Sequence, residues 1–113
     1  MTQHAGLTEE RWSTFDLDRQ VLMIANEMNR IRRLPDGDVD ARRRAYERVL
    51  RLTDLTLGTS DRRGMLRELA RWRELVASLY LDEAPDAEGH RTVFRALLRL
   101  RPEASRQIPI LLG

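Results

Sequence analysis

The fold is decided by residues 16–34, which read DLDRQVLMIANEMNRIRRL. Apolar residues recur in this stretch at steps of three and four, at Leu17, Val21, Ile24, Met28 and Ile31. In an α-helix this spacing places them on one face. The stretch therefore predicts an amphipathic first helix from about Asp16 to Leu34.

The start of this helix has an alternative. Trp12 and Phe15 are apolar and precede the stripe, and Thr8 with the two glutamates after it is typical of a helix N-terminus. The first helix can therefore begin near Thr8 rather than at Asp16. At its other end, residues 35–38 (Pro-Asp-Gly-Asp) predict a turn.

Two further helices follow, each with its own apolar stripe. The second is predicted from about Val39 to Leu57, with Gly58 as its C-terminal stop. Its apolar face carries Tyr46, Val49, Leu50, Thr53 and Leu57. The third is predicted to reach about Leu81, with candidate N-caps at residues 59–61. Its stripe consists of Met65, Leu69, Trp72, Val76 and Leu79.

The C-terminal part of the chain predicts a fourth helix and a short fifth one. Residues 82–86 are typical of a loop, and Asp86 is a candidate N-cap for the fourth helix. One side of that helix holds His90, Phe94, Leu97, Leu98 and Arg101. Pro102 interrupts it, and because proline is tolerated in a first helical turn, residues 102–105 can open the fifth helix. We expect the apolar tail, residues 110–112, to dock on the bundle.

These helices together define the fold class. Short connections between long amphipathic helices favour antiparallel neighbours, and no period-two strand pattern competes with them. A chain of 113 residues has the length of one domain. The sequence therefore predicts an all-α protein with a single domain over residues 1–113, an antiparallel bundle of four main helices with a short fifth C-terminal helix. We expect residues 1–7 to be mobile.

Composition limits the functions open to the chain. The absence of cysteine removes disulfides, thiolate catalysis and thiolate zinc sites. No apolar run approaches the roughly 18 residues of a spanning helix, and no signal-peptide pattern is present, so we expect a cytoplasmic protein with no membrane partner. All 20 basic residues are arginine, 18 acidic residues nearly balance them, and the net charge is +2. Arginine number by itself therefore does not indicate a charged partner.

Several apolar residues fall outside the stripes. At about 100° of rotation per residue, five lie off the main faces of the first three helices: Leu22, Met23, Leu52, Leu55 and Leu75. They can fill the wide interior of a bundle, or they can form a patch that pairs with another chain. A homodimer is the main form of the second interpretation, because two-fold pairing is the commonest route to oligomers.

One arginine lies where a charge needs a partner. Arg73 falls within the apolar arc of the third helix, and an unpaired buried guanidinium would be very unfavourable. Glu27, at the edge of the first helix's stripe, is a candidate partner, and Glu47 is another. The alternative is that Arg73 extends its head group to water. An internal Glu27–Arg73 pair could bind a small polar ligand or fix the register of the helices.

Arginines cluster on two of the predicted helices. On the second helix the ridge consists of Arg42, Arg43, Arg44, Arg48 and Arg51, and on the fourth of Arg91, Arg95 and Arg99. If both ridges faced one surface, they could bind phosphates with an affinity that falls as salt rises. Against this, Glu47 and Asp54 can pair with Arg51 on their own helix, and no helix-turn-helix or aromatic stacking pattern is present.

Patterns for catalysis are missing. His90 has Asp86 and Glu88 nearby in sequence, but metal-binding bundles use Glu-x-x-His pairs on facing helices, and the sequence has none. We therefore expect no metal site and no cofactor, and a structural or solvated His90. No nucleophile with an oriented base and no glycine-rich phosphate loop is recognisable.

These observations rank three function classes. We expect a non-enzymatic protein-interaction or regulatory bundle that self-associates or binds a protein partner. Nucleic-acid binding through the two arginine ridges is the alternative. An enzyme ranks third, because it would rest only on polar groups such as Glu27 and Arg73 in the core.

Overall fold

A computed structural model describes residues 8–35, 37–84 and 86–113 of the chain. Within these ranges the chain forms seven helices and no strand. Four are long: α2 (Leu17–Arg32), α3 (Val39–Thr59), α4 (Arg63–Leu81) and α5 (Ala87–Arg99). Three are single turns: α1 (Glu9–Trp12), α6 (Pro102–Ser105) and α7 (Ile108–Leu111). The expected mobility of residues 1–7 lies outside the described residues.

The four long helices form a closed antiparallel bundle. Helix α2 packs against α3, α3 against α4, α4 against α5, and α5 returns to α2. The last pair is antiparallel too, because Arg101, just after α5, binds Asp18 at the start of α2, while His90, early in α5, reaches Met28 late in α2. The predicted all-α bundle is confirmed, and α3 and α5 occupy opposite corners of it.

The predicted start of the first long helix at Asp16 is confirmed, since its carboxylate accepts the Arg19 N–H at 2.8 Å. The extension toward Thr8 forms a separate helix, α1, which Thr8 caps. The side-chain amide of Gln20 donates to the carbonyl oxygens of residues 12 and 15 at 3.0 and 3.1 Å. These bonds satisfy backbone groups that the break between α1 and α2 would otherwise leave without partners.

Gly58 does not end α3, so the predicted stop is wrong. The helix continues through Gly58 to Thr59, and the chain leaves it at Ser60 in an extended conformation. A glycine ends a helix when its backbone turns left-handed, and no described glycine has a positive φ. The predicted caps at residues 59–61 are wrong as well, because the N-cap of α4 is Arg62, which makes no side-chain capping bond.

The C-terminal predictions are confirmed except for Arg101, which lies beyond the end of α5 and precedes α6. Asp86 caps α5, accepting the Gly89 N–H at 2.8 Å, and Pro102 opens the short helix α6. The tail docks on the bundle through Leu112, which is buried in the core, while Ile110 stays 74% exposed. The Arg91 guanidinium donates to the Leu112 carbonyl oxygen and holds the tail beside α5.

Helix α1 enlarges the core beyond the four stripes. Trp12 is fully buried, and its indole N–H donates to the Thr56 hydroxyl of α3 at 2.9 Å. A buried indole needs apolar neighbours for its ring and a hydrogen-bond acceptor for its N–H. Helix α3 packs against α1 and supplies the acceptor, Thr56. The single turn of α1 is therefore anchored over the C-terminal half of α3, although a helix of four residues is not stable alone.

Candidate functional site

The five apolar residues proposed for an interface do not form one surface. Leu52 is 1% and Leu55 9% exposed, so both belong to the core and are wrong as interface residues. Thr56, which accepts the hydrogen bond of the Trp12 indole in α1, lies one turn beyond Leu52 and one residue beyond Leu55 on α3. Leu22 and Met23 are half-buried against the core. Leu75 alone among the five is substantially exposed, at 48%.

The proposed pair of Glu27 with Arg73 is wrong. Arg73 binds Asp54 of α3 in a bidentate pair, with Nε at 2.6 Å and Nη2 at 3.1 Å from the two carboxylate oxygens. Glu27 is buried and binds Arg48, also on α3, at 3.2 Å. Because α3 lies between α2 and α4, Glu27 meets one flank of α3 and Arg73 meets the other.

Of the seven ridge arginines named as candidate phosphate contacts, three are engaged within the bundle. Arg48 binds Glu27, the Arg43 guanidinium lies over the Tyr80 ring at 5.8 Å from its centroid, and Arg91 binds the Leu112 carbonyl. Arg44 and Arg99 are exposed and Arg95 is half-buried, while Arg51 is exposed but also has an interaction partner. Since α3 and α5 occupy opposite corners, a whole helix separates the two ridges and they form no continuous surface.

A buried polar chain joins three helices at one end of the bundle. Tyr46 of α3 is 4% exposed and His90 of α5 is 5% exposed. The Tyr46 hydroxyl lies 2.7 Å from His90 Nδ1, and His90 Nε2 lies 2.8 Å from the Met28 carbonyl oxygen of α2. A carbonyl oxygen only accepts, so Nε2 carries the proton, and Nδ1 of the neutral ring accepts the proton of the Tyr46 hydroxyl.

The electrostatics of the site agree with this direction of the hydrogen bonds. Burial raises the pKa of Tyr46 to about 12, which keeps the phenol protonated and able to donate. Burial also lowers the pKa of His90, with Arg32 acting in the same direction and the bond to Met28 opposing it. The imidazole is therefore neutral at pH 7 with both nitrogens in use, and it has no free lone pair for a substrate or a metal.

A cleft opens beside this polar chain, with a volume of about 90 Å³. Its apolar wall consists of Ile31, Leu34, Pro35 and Ala87. Its charged lining is Arg32, Arg42 and Asp86, and Tyr46 and His90 lie at its base. We call it the end cleft.

A larger and more open groove follows the outer side of α3, with a volume of about 400 Å³. Its apolar surface comes from Leu50, Leu55 and Tyr80. Its charged residues are Glu9 of α1 and Glu47, Arg51 and Asp54 of α3. We call it the α3 groove.

The sequence did not indicate that Tyr46 and His90 are partners. Both lie on the apolar faces of their helices, and a polar tip on a core-facing side chain needs a hydrogen-bond partner. That signal places each residue in the interior, but it does not identify the partner across the bundle. Arg42 is likewise a polar residue on the core-facing side of α3, because it lies one turn before Tyr46 on the same face, and its position indicates that it needs a partner.

No family model, curated protein or solved structure matches the chain. The described ranges contain no group of three or more His, Cys, Asp or Glu side chains that could hold a metal ion. No helix in the described part of the chain is both long and apolar enough to cross a bilayer. The described residues therefore form an antiparallel four-helix bundle whose cavities include the end cleft and the α3 groove.

Proposed function

We propose that the chain is a non-enzymatic interaction bundle that binds a segment of a partner protein in the α3 groove. The observation that carries the proposal is the composition of this groove. It combines half-buried apolar side chains, Leu50 and Tyr80, with the carboxylates of Glu9 and Glu47. Apolar contacts bordered by complementary charge are the usual composition of a protein interface.

Arg51 is the one cation among the described residues that line the groove, and the other charges, which are carboxylates, favour a basic segment. Asp54 is already neutralised by Arg73. Glu9 and Glu47 form no side-chain hydrogen bond or ion pair with any described residue. A segment that places an arginine or lysine beside an apolar side chain would fit both parts of the groove.

The state of His90 supports a role without catalysis. It is the one histidine that the structure describes, and hydrogen bonds occupy both of its ring nitrogens. A general base needs a free nitrogen near the reacting group. The chain has no cysteine to serve as an alternative nucleophile.

The other two hypotheses have less support. Self-association stays a prediction. It has less support because a stable interface buries roughly 1,200–2,000 Å² in total, while Leu75 is the only substantially exposed residue of the five in the candidate interface. Nucleic-acid binding also stays a prediction, and the separation of the two arginine ridges removes the single basic surface on which it rested.

Site-specific photo-crosslinking in the cells that produce the protein tests the proposal. A photoreactive phenylalanine replaces Leu50 in the groove, and the control replaces Arg99 on α5, at the opposite corner of the bundle. We expect a discrete adduct with another protein from position 50 alone, weakened when Glu9→Gln and Glu47→Gln are combined with it. Circular dichroism verifies that each variant is folded.

Three outcomes would contradict the proposal. The first is no adduct from position 50, and the second is the same adducts from positions 50 and 99. The third is an adduct of twice the chain's mass, which would replace a separate partner with self-association. If the adduct persists unchanged after Glu9 and Glu47 are neutralised, these carboxylates do not attract the partner. The proposal that the groove binds a basic segment would then be wrong.

A further inference from the structure

We propose that the end cleft is a binding site for a short-chain aliphatic carboxylate. The inference does not depend on the α3 groove, because the two cavities share no lining residue. It starts from the charges that line the cleft. Arg32 and Arg42 contribute two guanidinium groups, Asp86 contributes one carboxylate, and the imidazole of His90 is neutral.

These three charged groups do not neutralise one another. Arg42 is half-buried, and its guanidinium has no hydrogen bond or ion pair with any described residue. Arg32 binds the uncharged Asn29 side chain, at 3.1 and 3.3 Å. The Oδ1 atom of Asp86 accepts the Gly89 N–H as the cap of α5.

A half-buried arginine whose guanidinium has no anion beside it favours binding one. Removing a charge from water is unfavourable unless it is paired and hydrogen-bonded. The planar fork of arginine matches the two oxygens of a carboxylate, and such charge-assisted pairs are the stronger kind of hydrogen bond. Arg42 is therefore the main ligand contact, with Arg32 as the second cation.

The apolar wall and the size of the cleft define the rest of the ligand. Ile31, Leu34 and Pro35 present aliphatic surface and no additional donor. One water molecule needs about 10–15 Å³ of accessible space, so the roughly 90 Å³ of the cleft suits a ligand of about six heavy atoms. A carboxylate with a chain of three or four carbons has this size.

Inorganic phosphate fits less well. It would leave the aliphatic wall in contact with water, and its second negative charge would lie in the same cleft as Asp86. An aliphatic amine has the opposite charge from that required by Arg32 and Arg42. The order of affinity that we expect is therefore butyrate first, then inorganic phosphate, with butanol and butylammonium much weaker.

Nuclear magnetic resonance titration of the full chain with butyrate at pH 7 tests this site. We expect saturable shifts of the His90 imidazole and Tyr46 ring signals. Arg42→Gln should weaken binding about tenfold or more, as expected for loss of a charge-assisted hydrogen bond. Arg44→Gln is the matched control, because it makes the same charge change two residues away at an exposed position, and it should weaken binding less than about twofold.

A second variant keeps the test informative if Arg42→Gln fails to fold. Arg32→Gln removes the other cation and should also weaken butyrate binding, while urea unfolding of each variant verifies its stability. Shifts that do not saturate would overturn the proposal, as would equal effects of Arg42→Gln and Arg44→Gln. Binding of butanol or phosphate as tight as that of butyrate would overturn it too. None of these results affects crosslinking at position 50, so the two proposals fail separately.

Discussion

Removing the Tyr46 hydroxyl should destabilise the bundle, because it leaves the buried Nδ1 atom of His90 without a hydrogen-bond donor. In Tyr46→Phe the aromatic ring stays, and the hydroxyl that donates to His90 Nδ1 at 2.7 Å is lost. The imidazole cannot correct this by exchanging tautomers, because Nε2 must keep its proton for the Met28 carbonyl. Nδ1 is then a buried acceptor without a donor.

The magnitude follows from the burial of both partners. Tyr46 is 4% and His90 5% exposed, so both partners of the lost hydrogen bond are almost completely removed from bulk water. A buried polar group left without its partner costs about 1–3 kcal/mol. Because the end cleft adjoins the pair and a water molecule can enter it, we expect the lower half of that range, about 1–2 kcal/mol.

Urea unfolding followed by far-ultraviolet circular dichroism measures this difference. For a small domain the dependence of the free energy on urea is about 1–3 kcal/mol per molar. A loss of about 1.5 kcal/mol therefore lowers the midpoint by roughly 0.5–1.5 M, which is easily resolved. The dependence itself should not change, because the substitution exposes no additional surface.

Tyr80→Phe is the matched control. Tyr80 is half-buried, and its hydroxyl forms no hydrogen bond with any described residue, while its ring contact with Arg43 survives the substitution. We expect a change within about 0.5 kcal/mol. If Tyr46→Phe costs no more than Tyr80→Phe, the buried hydrogen-bond chain does not stabilise the bundle and the reasoning is refuted.

Three further predictions concern pH and two buried contacts. The pKa of His90 is lowered by folding, so the unfolded chain takes up the proton first. The contribution of His90 to the free energy of unfolding should therefore be fully present well above pH 6.5 and be lost as the pH drops through the folded pKa. Trp12→Ala should cost about 3–5 kcal/mol in urea unfolding, because it removes a fully buried indole and its bond to Thr56. Glu27→Gln should cost about 1.5–3 kcal/mol, because the buried charged contact with Arg48 is lost.

Each of these predictions has a control. Titration of the His90 ring by nuclear magnetic resonance should give a pKa below 6.5, and a value above it would contradict the pH argument. Leu81→Ala, at a position 73% exposed, should cost less than about 0.5 kcal/mol. Glu103→Gln breaks an exposed ion pair with Arg106 and should also cost less than about 0.5 kcal/mol, so equal losses for Glu27→Gln would contradict its burial argument.

The long helices could be predicted because each carries enough periodic apolar residues to define a face. Residues 16–34 gave α2 to within two residues at each end, and Asp86 capped α5 as its position before the helix indicated. The helix ends without such a cap were less predictable. Gly58 is compatible with both a helix interior and a stop. In the structure α3 continues through it to Thr59, whose hydroxyl donates to the Leu55 carbonyl at 2.8 Å.

The interface prediction was wrong at Leu52 and Leu55, because the spacing of apolar residues does not show which other elements of the chain pack on them. A helical wheel gives the direction of a side chain on its own helix, and it does not reveal what covers that direction. Here a four-residue helix, too short for a periodic signal, packs on α3, and its Trp12 bonds to Thr56 near Leu52 and Leu55. Surplus apolar residues on a long helix therefore do not distinguish a partner chain from a small element of the same chain.

The arginines of α3 likewise could not be assigned to their neighbours from the spacing in the sequence, and these neighbours decide which arginine can bind a ligand. The spacing within residues 42–51 describes one ridge, yet helical rotation sends its members to different neighbours. Arg43 lies on Tyr80 of α4, Arg48 pairs with Glu27 of α2, and Arg42 lines the end cleft. A ridge in sequence is thus several unrelated contacts in space. Within residues 42–51, the half-buried arginine whose charge the described residues leave unpaired is Arg42, and this arginine lines the end cleft.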